Sequence, residues 1–221
     1  MPNEPAIVGR RRNRRGEATR ELIIDATVRC LQRNGYAGTS VEAVIAGAGV
    51  GRGSVLNQFP TRVDLMAATA QVAMKRMIDH ADGALASIAD PRERLFALVD
   101  LGWQSHNLPE ATAVTEILLA SRWDDALGTA IRSVVETVER EIDRLHVQMA
   151  SINSLPDVAG LVVYGRLLNS SLRGLTIELM FNANRTVMLQ ALEALRADHR
   201  ARCQRWLDEA GEAPAPNARQ G

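Results

Sequence analysis

The side chains able to support catalysis or to ligate a metal are few and dispersed. Histidines stand at 80, 106, 146 and 199, with no His-x-x-x-His pair and no cysteine at ligand spacing, so no zinc-type site is indicated. Cys30 and Cys203 are far apart in sequence, each within a helical pattern. They read as small buried apolar residues rather than as a disulfide or redox pair. The glycine-rich run GAGVGRG at 47–53 lacks the Lys-Ser/Thr of a phosphate loop and is better explained as a turn. Without a convergent nucleophile, acid/base or metal set, neither an enzyme nor a cofactor is expected.

Charge is where the sequence concentrates its chemistry. The chain has 221 residues and a formal net charge of zero, unevenly spread. Residues 1–62 hold ten arginines and five acids, a net +5, which leaves 16 basic and 21 acidic residues in the remainder, a net −5. A basic front on an acidic body suits a polyanion met at the front alone. Half of the front's arginines lie at 10, 11, 12, 14 and 15. In residues 1–16, beside two prolines and two glycines, they read as a disordered basic arm able to add phosphate or minor-groove contacts. A solvated tail with no dedicated partner explains the same arginines.

The element that would position such chemistry is the stretch 39–59, TSVEAVIAGAGVGRGSVLNQF. It reads as two short helices joined by a glycine turn. Thr39 is placed to cap the first, with Glu42 closing a capping box. Val41, Val44, Ile45 and Ala48 give it an apolar stripe, and Gly49 supplies the positive φ that ends it. The second helix runs from about Arg52 to Gln58. A helix-turn-helix of this kind fits the DNA major groove and reads base edges with its second helix.

Around it the chain reads as helix throughout. Helix 1 spans about 17–34, with Ile23, Ile24, Thr27, Cys30 and Leu31 inward and Asn34-Gly35 as its stop. Tyr36 is expected to pack beneath the helix-turn-helix and Phe59 to anchor its second helix. Pro60 breaks the chain, and Thr61 with Asp64 starts helix 4, which runs to about residue 82. Asp90-Pro91 and Pro109 open helices 5 and 6, and helix 7 runs from near Trp123 to about Met149. Pro156 opens helix 8, to about Phe181, apolar on several sides and therefore expected to have more than one packing partner. Helix 9 follows to about Leu207. No run approaches the ~20 apolar residues of a membrane span, and no signal peptide is visible, so the cytoplasm is expected. The result is an all-α chain of about nine helices: an arm at 1–16, a DNA-binding domain at 17–62, a ligand-binding and dimerisation domain at 63–207 and a flexible tail at 208–221.

Residues 19–65 resemble the TetR family of bacterial transcriptional regulators. The likeness is carried by IIDATVRCLQRNGYAGTSVEAV and then AGVGRGSVLNQFPTRVDL. A helix ends in Gly-Tyr, a Thr-Ser pair opens the next, AGV-x-x-G makes the turn, and Phe-Pro-Thr-Arg leads into helix 4. The resemblance implies an all-helical homodimer whose last two helices form a four-helix interface and whose body takes a small ligand. It places Thr39, Arg52, Thr61 and Arg62 on DNA phosphates, and Gly51, Arg52, Asn57 and Gln58 at base edges, where Asn and Gln suit adenine and Arg suits guanine. Three positions depart from the pattern: Leu56 replaces a phosphate-binding tyrosine, Gly51 a capping serine, and Ile45 a small residue.

The implied function is sequence-specific transcriptional regulation, as a ligand-responsive repressor on a near-palindromic double-stranded operator. The competing reading is a helical protein-interaction module with a degenerate helix-turn-helix. Phe96, Trp103, His106 and Trp123 are the pocket candidates. With no charged anchor evident, a mainly apolar effector is expected. Leu161, Leu168, Leu172, Leu175, Leu192 and Leu195 are the candidates for the dimer interface.

Overall fold

The computed structural model describes residues 6–212, with side chains from residue 16 onward. Nine helices and no strand occur among the described residues: α1 (Ala6–Gly38), α2 (Val41–Ala48), α3 (Arg52–Gln58), α4 (Arg62–Ala86), α5 (Pro91–His106), α6 (Pro109–Ala120), α7 (Asp125–Ile152), α8 (Val158–Phe181) and α9 (Thr186–Glu212). The all-α expectation holds, with several boundaries corrected. Helix already runs through residues 6–16, expected as a disordered arm, because arginine is a good helix former and no proline follows Pro5 before Pro60. The side chains of Arg10, Arg11, Arg12, Arg14 and Arg15 lie outside the described residues. At the other end α9 continues to Glu212, past the expected stop at 207, while 213–221 lie outside the description. Helix α4 continues to Ala86, past the expected end near residue 82, and α7 begins at Asp125, two residues beyond Trp123.

Packing divides the chain differently from a cut at residue 62. One unit comprises Met1–Arg76 and Leu108–Glu136; the other comprises Met77–Asn107 and Thr137–Gly221. Helices α4 and α7 therefore each contribute to both.

In the first unit α1 packs on α6 and α2. Ile23, Ile24, Thr27 and Leu31 are fully buried, while Cys30 is only partly so. Thr27 is tolerated there because its hydroxyl donates to the Ile23 carbonyl at 2.8 Å. Gly35, at φ 67°, breaks the end of α1 where Asn34-Gly35 signalled a stop. Across α1, α4 and α6, Arg76 holds Glu21 at 2.6 Å, Asp25 at 2.7 Å and Glu110 at 3.4 Å.

In the second unit α5, α8 and α9 enclose a core of Leu95, Leu161, Leu172, Cys203 and Trp206. Asp90 caps α5 by accepting from the Arg92 N–H at 2.8 Å, with Pro91 at its first turn. Asp157, rather than Pro156, starts α8 by accepting from the Gly160 N–H at 2.8 Å. A polar knot sits inside this core. His199 Nε2 donates to the Leu95 carbonyl at 2.9 Å, and its Nδ1 accepts from the Tyr164 hydroxyl at 3.1 Å. Burial pushes the neighbouring Cys203 thiol up to about 12, so it is an inert core residue.

Candidate nucleic-acid interface

The short helices α2 and α3 exist because one face of each is buried. Val44 is fully buried, Val55 is 1% exposed and Phe59 2% exposed, each worth about 1.5–3 kcal/mol of transfer free energy. Gly49 adopts φ 65° and ψ 28°, and its N–H returns to the Ile45 carbonyl at 3.1 Å. Gly51 precedes α3 in extended conformation and offers no side-chain cap. The N–H groups of the first turn of α3 thus gain no side-chain acceptor there.

The cap of α2 is Ser40, not Thr39. Ser40 Oγ accepts from the Ala43 N–H at 3.1 Å, whereas Thr39 is fully buried and its hydroxyl donates to the Gly35 carbonyl at 2.7 Å. The Thr39 side chain is thereby removed from the phosphate-binding set. Both residues can cap a helix, and the choice falls on the one left in solvent. Glu42, freed from the capping box, pairs with Arg52 at 3.0 Å, both side chains being about two-thirds exposed. Its own backbone N–H and the Arg52 guanidinium hold its carboxyl below the usual range.

Arg62 is also engaged. Its guanidinium donates to the carbonyls of Tyr36 at 2.7 Å and Thr39 at 3.2 Å, and stacks on the Tyr36 ring at 4.0 Å. Tyr36 packs beneath the helix-turn-helix as expected, its N–H donating to Glu116 of α6 at 2.8 Å. Its hydroxyl is buried without a hydrogen-bond partner among the described residues, and burial raises its pKa above that of an ordinary phenol. Thr61 and Asp64 form the expected capping box, each side chain accepting from the other's N–H at 3.0 Å. Thr61 remains exposed.

Beside Gly51, which precedes the helix, the exposed residues of α3 are Arg52, Gly53, Ser54, Leu56 and Asn57. Gln58 is half-buried, its amide donating to the Gly16 carbonyl of α1 at 3.2 Å, so it braces α3 instead of projecting freely. Sequence reasoning missed Ser54, a polar side chain on the open face just before buried Val55. Its signal was present in the helical spacing. Leu56 is 42% exposed, an apolar group on the same outward surface.

The pocket and interface candidates differ in their surroundings. Trp123 is 87% exposed and belongs to the first unit, whereas Phe96, Trp103 and His106 belong to the second. Phe96 borders a cavity of about 310 Å³ with Val99, Asp100, Glu193, Arg196, Ala197 and Arg200. His106 is 5% exposed, and its Nε2 lies 2.8 Å from Asn169 Oδ1. Burial pulls His106 below its usual pKa against that hydrogen bond, with Arg173 lowering it further. Leu161, Leu168, Leu172 and Leu192 are core residues of the second unit, and Leu175 and Leu195 pack against that core. The large apolar side chains left exposed on these two helices include Val163, Leu167, Met180 and Phe181 of α8 and Val187 and Leu189 of α9.

Residues 23–69 match the family model of the bacterial regulatory proteins, tetR family. Over 194 residues the chain is 25% identical to an uncharacterized HTH-type transcriptional regulator of Mycobacterium tuberculosis, a match covering 84% of this chain and 97% of that one. A transcriptional regulator from Saccharomonospora viridis, solved in complex with choline, superposes with a TM-score of 0.62 at 18% identity, over 85% of this chain and 96% of its own. The regulator FadR from Bacillus subtilis, solved in complex with stearoyl-CoA, gives a TM-score of 0.62 at 15% identity, over 81% and 96% respectively. At such identities the structural likeness establishes a shared fold.

Proposed function

Because the chain belongs to the TetR family of bacterial transcriptional regulators and carries its helix-turn-helix domain, we propose that it is a cytoplasmic, homodimeric, ligand-responsive repressor of a near-palindromic operator. The observation that carries this reading is the outward face of α3. There Arg52, Ser54 and Asn57 stand exposed on a helix anchored by Val55 and Phe59. Two such helices related by a two-fold axis would enter successive major grooves about 34–36 Å apart. Arg52 and Asn57 supply the base-reading chemistry, Ser40 and Thr61 the hydroxyls for phosphate. The second copy would cover Val163, Leu167 and Phe181, large apolar groups that are 70%, 59% and 84% exposed. An effector acts by favouring one arrangement of the dimer over another. The choline and stearoyl-CoA complexes support a body able to hold small molecules. Helix α4, which starts at Arg62 and continues through residues of the second unit, is the route by which occupancy would reach the reading heads.

Exposed Leu56 and uncapped Gly51 favour a second reading, a helical interaction module that has lost DNA binding. A gel shift against the chain's own upstream region at about 50 and 200 mM salt separates the two. A regulator gives retardation that weakens steeply with salt. No salt-dependent retardation of any tested sequence would favour the interaction module.

A further inference from the structure

We propose that the second unit binds a small carboxylate, held by the Arg173 guanidinium with the Asn169 amide beside it. This rests on the reading of a ligand-responsive regulator and assigns its effector a chemical class: an anion with an apolar body, in place of the mainly apolar molecule expected from sequence.

Arg173 lies on α8, one turn beyond Asn169 and two beyond Arg166. At about 100° per residue these three positions share one flank of the helix. Their partners show where that flank faces. Arg166 grips Asp143 of α7 through two bonds of 2.7 and 2.8 Å and also reaches Glu139 at 3.4 Å. Asn169 Oδ1 accepts from His106 Nε2 of α5 at 2.8 Å. The flank therefore points toward α5 and α7, away from the exposed stripe of Val163, Leu167 and Gly174.

Arg173 is half-buried on this flank, yet among the described residues it makes no hydrogen bond or ion pair. The opposite charge that it senses is Glu139, already engaged by Arg166. Arginine does not shed its proton in proteins, so shielding it from water without a partner is unfavourable. Burial accordingly lowers its affinity for the proton. Asn169 has committed its oxygen to His106, and its amide hydrogens have no acceptor among the described residues. The two side chains thus offer donors alone, and the missing component is a set of acceptors. A carboxylate supplies two oxygens in the planar geometry that a guanidinium matches. Trp103, one turn before His106 and packed on the core, provides apolar surface for the rest of such a molecule.

The test uses the full-length protein and isothermal titration with hexanoate and benzoate, against hexanol and benzyl alcohol as uncharged controls. At least one carboxylate should bind saturably, one per chain, and its alcohol at least about tenfold more weakly. Arg173→Met should lose about 10- to 100-fold in carboxylate affinity, the loss of a charged hydrogen bond. Its ligand-free melting temperature should hold or rise, and its sedimentation should be unchanged. Arg173→Lys should fall between the two. The proposal is overturned if neither carboxylate binds, if each binds no better than its alcohol, or if Arg173→Met binds as the wild type does. It is equally overturned if Arg173→Met melts lower or dissociates, which would give the guanidinium a structural partner in a second copy. Gel shifts on the same proteins keep the two readings apart. Operator binding without Arg173-dependent carboxylate binding sinks only the site. Arg173-dependent carboxylate binding without any operator binding sinks only the regulator.

Discussion

Among individual residues, the difference between Asn57 and Gln58 matters most for DNA reading. Their amides carry the same donors and acceptors, but Asn57 is exposed, while the Gln58 amide is held at 3.2 Å from the Gly16 carbonyl. Asn57→Ala should change preference at one base position, by ~1–3 kcal/mol there. Gln58→Ala should weaken binding to all sequences alike, because it loosens α3 from α1. Competition gel shifts against single-base operator variants measure both. A position-specific effect of Gln58→Ala would show that the amide leaves Gly16 to read a base. A similar contrast separates Thr39 from Ser40. The pair announces a helix start, but burial of the threonine hands the cap to the serine.

For the helices, the informative comparison lies on α8, where Leu167 is 59% exposed and the adjacent Leu168 is 4% exposed. One step of about 100° carries a side chain from the open stripe to the core. Leu167→Glu should therefore yield folded monomers that no longer retard operator DNA, seen by sedimentation velocity with unchanged circular dichroism. Leu168→Glu should instead unfold the second unit, because a charge would enter its core unpaired. A folded monomer from Leu168→Glu, or an intact dimer from Leu167→Glu, would reverse the assignment of the two faces. Periodicity alone left this open. Helix 8 is apolar on more than one side, and hydrophobicity does not say which side the same chain covers.

Across the whole molecule, all four histidines fall in the second unit. His106, His146 and His199 are buried there, and burial pulls each below its usual pKa. The unfolded chain then binds more protons than the native one once pH falls below about 6.5, the histidine value without burial. Stability contributed by these neutral rings is fully present above that pH and is lost as pH falls toward their lower native values. The melting temperature should drop between about pH 7 and pH 5 at fixed ionic strength, reflecting a loss of folding free energy of order 1.4 kcal/mol for each pKa unit of depression per histidine. Differential scanning fluorimetry measures it, and a flat or rising profile would contradict the assignment. The first unit, free of histidine, should contribute little to this loss.

What the sequence determined by itself was local. Gly35 and Gly49 at positive φ, the Thr61–Asp64 capping box, the span of α3 and the burial of Phe59 follow from interactions within a few residues and from apolar spacing, which any linear reading contains. Tertiary structure decided which capable side chains were left free to act. Thr39, Gln58 and Arg62 have the chemistry for DNA, but each is taken by a backbone carbonyl brought from another turn or helix. Leu161, Leu168 and Leu172 have the chemistry for an interface but fill their own core. Arg173 carries no motif at all. Its standing as a half-buried donor arises because packing gives Asp143 and Glu139 to Arg166 and places no acceptor at Arg173 among the described residues. Residue type sets what a group can bind, and only the three-dimensional arrangement of its neighbours sets whether that capacity is already used.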